Sequence, residues 1–72
     1  MNISLFIESD HKVMLGKPIL KGTRLTVELI LKKLAEGASV DDLTSLYPNL
    51  TENHVRACLE FQFIMSLEGL MI

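Results

Sequence analysis

The sequence predicts a mainly α domain: a short N-terminal β arm over residues 1–25, then a three-helix bundle over residues 26–68 in a helix-turn-helix-like arrangement. Three observations carry this expectation. Apolar residues fall in short extended runs before Gly22 and recur at helical spacing after Thr26. Hydroxyl residues stand where helix N-caps belong, at Thr26, Ser39 and Thr51. Gly37 and Pro48 stand where helices end. With 72 residues, the chain is expected to form a single domain over 1–72.

The arm comes first. Ile3, Leu5 and Ile7 alternate with Ser4, Phe6 and Glu8, which predicts a short strand. Ser9 to Lys12 is a polar turn, and Val13-Met14-Leu15 is the expected partner strand. Ile19-Leu20 adds a third extended piece before Gly22, which lacks a Cβ and so admits a positive φ and a sharp turn. Thr23 and Arg24 supply donors beside that turn, and Arg24 is expected to pair with a carboxylate or bond backbone carbonyls there.

The helices follow. Val27, Ile30, Leu31 and Leu34 make one apolar face after the Thr26 cap, and Glu28 is placed to pair with Lys32 outside. Ser39 caps a second helix to Tyr47, with Asp42 as capping-box partner and Leu43, Leu46 and Tyr47 turned inward. The third helix starts at Thr51, with Leu50 and Val55 at the spacing of a hydrophobic staple. Val55, Cys58, Leu59 and Gln62 share its inner face. From Phe61 onward Phe61, Phe63, Ile64, Met65 and Leu67 are apolar nearly all round. A chain this small cannot bury such a helix alone, so partner contact is expected at Phe61, Phe63, Ile64 and Leu67, and a homodimer is the simplest association.

Composition narrows the function classes. Hydrophobic residues make up 49% of the chain, at a mean hydropathy of +0.33. No run reaches the length of a membrane span, and no basic stretch followed by an apolar core opens the chain; a cytoplasmic protein without membrane association is expected. A lone cysteine, Cys58, suits a reducing compartment. The net charge is −2, but residues 1–33 balance to +3 and residues 34–72 to −5. The first half suits phosphates and the second repels them.

The helix-turn-helix order makes Thr51, Asn53, His54 and Arg56 the DNA-binding candidates on helix three, with Lys21 and Lys32 beside phosphates. Asparagine pairs with adenine and arginine with guanine, while Thr51 suits a phosphate. Against this stands the plain helical core with no groove contact, favoured by Glu52 on the same turn. His54 and Cys58 are four apart, yet two ligands do not make a metal site and a core-facing cysteine is no nucleophile. Gly16-Lys17 lacks the upstream glycine of a phosphate-binding loop. No catalytic residues, metal or cofactor are therefore expected, and the chain does not read as an enzyme.

The run Gly16-Lys17-Pro18-Ile19-Leu20-Lys21-Gly22-Thr23-Arg24-Leu25-Thr26-Val27, with Leu34-Ala35-Glu36-Gly37-Ala38-Ser39 and Leu46-Tyr47-Pro48-Asn49-Leu50-Thr51, resembles the domain of unknown function 433 family from about Ile7 to about Phe61. Leu15 stands where glycine is frequent, Leu20 where isoleucine is more usual and Lys21 where arginine is common. The resemblance implies a small homeodomain-like trihelical protein and an antitoxin of a type II toxin–antitoxin module. Such a protein would bind a PIN-like nuclease toxin and its own operator DNA. The alternative is a protein-interaction or dimerisation module that never touches DNA.

Overall fold

The chain order in the computed structural model is a 3-10 turn (Ile3–Leu5), strands β1 (Ile7–Glu8) and β2 (Ile19–Leu20), then helices α1 (Val27–Ala35), α2 (Val40–Leu46) and α3 (Glu52–Leu70). The structure describes residues 1–9 and 16–70, with side chains to Leu67. The expected strand at Val13-Met14-Leu15 lies outside the described residues. Three helices after a small antiparallel β arm are the predicted architecture.

The arm differs in detail. Ile3–Leu5 is a 3-10 turn rather than the start of a strand, because the Asn2 carboxamide oxygen accepts from both the backbone N–H and the hydroxyl of Ser4. That local bonding competes successfully with an extended backbone. Only Ile7 and Glu8 remain to pair, in the register Ile7 to Leu20 and Glu8 to Ile19.

β2 is the hub of the arm. Leu20 N–H donates to the Leu25 carbonyl at 2.9 Å, and Lys21 N–H donates to the Phe6 carbonyl at 2.8 Å. Between them the chain reverses through Leu20-Lys21-Gly22-Thr23, closed by Thr23 N–H on the Leu20 carbonyl at 3.0 Å. Gly22 takes φ +80 at the third position, as a type II turn requires. The Thr23 hydroxyl locks the reversal from inside, donating to the Leu20 carbonyl at 2.8 Å and accepting from Leu25 N–H at 3.0 Å.

The helices start and stop where the sequence predicts. Thr26 accepts from Leu29 N–H at 3.0 Å to cap α1. Gly37, at φ +105, carries the chain out of it. Ser39 and Asp42 form a reciprocal capping box on α2. Asp42's carboxyl is held below its ordinary value of 3.8, chiefly by the Ser39 backbone N–H and then by the Ser39 side chain.

Leu20, Val27, Ile30, Leu43, Leu50, Val55 and Cys58 form one buried cluster drawn from β2, all three helices and the α2–α3 connection. Both members of the expected staple, Leu50 and Val55, are in it. Three expected inward residues are not: Leu46 and Leu59 are 61% and 51% exposed, and Gln62 is exposed. On α2 the inward stripe runs Val40, Leu43, Tyr47, which leaves Leu46 off its edge. On α3 it runs through His54, Ala57, Cys58 and Phe61, displaced from the stripe containing Leu59 and Gln62. Among the described residues no helix is long and apolar enough to cross a membrane.

Candidate functional site

The first turn of α3 is built around His54. Thr51 is its N-cap: its hydroxyl oxygen accepts from His54 N–H at 3.3 Å. In return, His54 Nδ1 accepts from Thr51 N–H at 3.0 Å. This is a capping box in which an imidazole replaces the usual glutamate or glutamine. The other ring nitrogen, Nε2, donates to the Lys21 carbonyl at 2.9 Å. A backbone donor on Nδ1 and a carbonyl on Nε2 together specify the neutral Nε2–H tautomer. Phe6 closes the site edge-on, its ring 5.5 Å from the imidazole at 78°.

This arrangement redistributes the DNA-binding candidates. His54 is buried, with both ring nitrogens committed, and does not face a groove. Thr51 spends its hydroxyl on the cap, 2.9 Å from His54 Nδ1. Asn53 and Arg56 are exposed, and Arg56 Nη2 donates to Glu52 Oε1 at 2.9 Å, one turn back along α3. Lys32 is exposed on α1 beside a shallow depression shared with Lys17, Thr26 and Glu28. Glu28 pairs across the chain with Lys17 at 3.4 Å instead of along the helix with Lys32. Lys21 has a fixed backbone and an exposed side chain.

Among the described residues Arg24 does not take its expected role. It is exposed and makes no ion pair or side-chain hydrogen bond with the described residues. The reason is local: Thr23, not Arg24, supplies the bonds that hold the reversal. Among the described residues the structural work expected of Arg24 falls to Thr23.

The partner-binding candidates divide into two kinds. Phe61 is half-buried against the core and lines a groove of about 190 Å³ with Pro18, Val27 and Leu31. Phe63, Ile64 and Leu67 are exposed, at 63%, 39% and 45%, and Met65 joins them at 46%. Leu59 stands two turns before Leu67 on the Phe63 side. Its outward position departs from the expected inner face.

Cys58 is wholly buried, and burial pushes its thiol up to about 11. It is a packed thiol rather than a thiolate. With His54 fully hydrogen-bonded, the pair spaced four apart presents no metal-binding face, and the described residues hold no group of three metal-ligating side chains.

The family described as "Protein of unknown function (DUF433)" matches residues 7–61. No curated protein and no solved structure matches the chain significantly.

Proposed function

The chain belongs to the DUF433 family, and from that premise we propose that it is an antitoxin: a small adaptor that occupies a PIN-like nuclease toxin and binds its own operator DNA. The observation that carries the reading is the division of α3. Its first half is locked into the bundle through Thr51, His54, Val55 and Cys58, while Phe63, Ile64, Met65 and Leu67 stand exposed on its second half. Apolar side chains concentrated on one helical segment are what a partner's groove recognises. On this reading the toxin takes the second half of α3. Asn53 and Arg56, exposed on the first half, face DNA bases, with two copies of the chain spanning successive major grooves.

A second reading, an interaction module without DNA contact, draws on the Glu52–Arg56 pair, which ties the single arginine of α3 to a carboxylate. Affinity capture of the tagged chain from its native cells, with and without nuclease treatment, separates the two. A small nuclease recovered under both conditions, together with operator DNA in the untreated sample, supports the antitoxin. Recovery of a non-nuclease partner with no DNA supports the module.

A further inference from the structure

The geometry points to the reversal between β2 and α1 as the phosphate-binding element of this protein, with Arg24 and Lys21 as its two contacts. The inference rests on the DNA-binding half of the proposed function, which already sets Lys21 beside phosphates, and adds Arg24 and the fixed reversal that carries both side chains.

The cations of the described chain are not equivalent. Lys17 is paired with Glu28 and Arg56 with Glu52. Among the described residues Lys21, Arg24, Lys32 and Lys33 make no ion pair, and of these Lys21 and Arg24 are the two exposed ones carried on the reversal rather than on α1. They flank Gly22 and Thr23 in a reversal whose backbone is held at four points: Leu20 N–H to Leu25, Lys21 N–H to Phe6, Thr23 N–H to Leu20, and the Thr23 hydroxyl between Leu20 and Leu25. Two unpaired cations on a fixed backbone lose little conformational freedom of the main chain on meeting a phosphodiester.

Location completes the argument. The Lys21 carbonyl accepts from His54 Nε2 at 2.9 Å, so the reversal is stapled to the first turn of α3. Asn53 and Arg56 are exposed in the first two turns of that helix, Asn53 next to His54 and Arg56 roughly 200° round the helix from it. Gly22, between Lys21 and Arg24, is exposed, with nothing within 4 Å of the position a Cβ would take. Phosphate contacts set register while base contacts specify. The reversal supplies the first beside the helix that supplies the second.

The test is binding of a fluorescein-labelled duplex of about 20 base pairs, followed by anisotropy across a range of salt concentrations. Each of Lys21→Ala and Arg24→Ala is expected to lower the slope of log affinity against log salt by about one. The double variant lowers it by about two and weakens binding at least about tenfold at low salt. Arg24→Lys keeps the slope, and Lys17→Gln, at a cation already paired, leaves it unchanged. Since both side chains are exposed and the reversal is held by other groups, unchanged urea midpoints accompany these effects. Wild-type binding with a slope indifferent to Lys21 and Arg24 overturns the phosphate element while leaving DNA binding in place. Wild-type protein without salt-sensitive DNA binding overturns both.

Discussion

His54 and Lys21 stand 33 residues apart in sequence and 2.9 Å apart in space, joined by Nε2–H to a backbone carbonyl. The same imidazole caps α3 through Nδ1 and meets Phe6 edge-on. One side chain thus joins the 3-10 turn region, the β2–α1 reversal and the start of α3.

His54→Ala removes a cap acceptor and leaves the Lys21 carbonyl without its partner, so a loss of about 2–3 kcal/mol is expected in urea unfolding. His54→Gln restores an acceptor at the third helical position and recovers about half of that. Equal loss in both variants would mean that ring packing against Phe6, not the cap, dominates.

Gly22→Ala tests the reversal. With φ at +80 and open space at the Cβ position, the loss is backbone strain alone, about 1–2 kcal/mol by thermal or urea unfolding. Gly22→Asn is expected to lose less, since asparagine tolerates this region. An unchanged midpoint in Gly22→Ala would contradict the positive φ.

Asp42 contributes a pH dependence of definite sign. Its carboxyl is depressed in the folded chain by the Ser39 backbone and side chain, so the stabilisation is fully present above the usual value of 3.8 and is lost as pH falls through the depressed one. Asp42→Asn is expected to flatten the acid limb of the stability profile below about pH 4. A profile identical to wild type would remove the capping box from the account.

Cys58 is expected to react slowly with a thiol reagent at pH 8, because burial holds the thiol neutral at a value of about 11. Labelling should accelerate steeply across the urea transition. Rapid labelling in native buffer would contradict the packing of α3 on the core.

Much of this fold is legible because its signals are local. Thr26, Ser39 and Asp42 cap through bonds spanning three residues, and Gly22 and Gly37 are required by single backbone angles. What the sequence hides is tertiary. Histidine at the third helical position is not a usual capping partner, and nothing near it in sequence announces Lys21 as its acceptor. Once His54 is inward, the buried stripe of α3 moves to Ala57, Cys58 and Phe61, which turns Leu59 outward. Thr23 and Arg24 both carry donors suited to the reversal, and nothing local in the sequence decides that Thr23 makes the bonds. The exposed segment at Phe63, Ile64 and Leu67 was legible from composition, since a helix apolar on every side exceeds what this core covers.

Charge on that segment should separate folding from capture. Phe63→Glu with Leu67→Glu alters two exposed positions, so a change in the urea midpoint within about 0.5 kcal/mol is expected. Partner capture should fall to background.

Inhibition of a nuclease by the second half of α3 is tested by RNA cleavage with the captured partner, the chain being added back in stoichiometric steps. Cleavage is expected to stop near one chain per nuclease, and to keep running with the Phe63→Glu, Leu67→Glu variant. Cleavage that continues undiminished with the wild-type chain, or that the charged variant suppresses equally well, would contradict that inhibition.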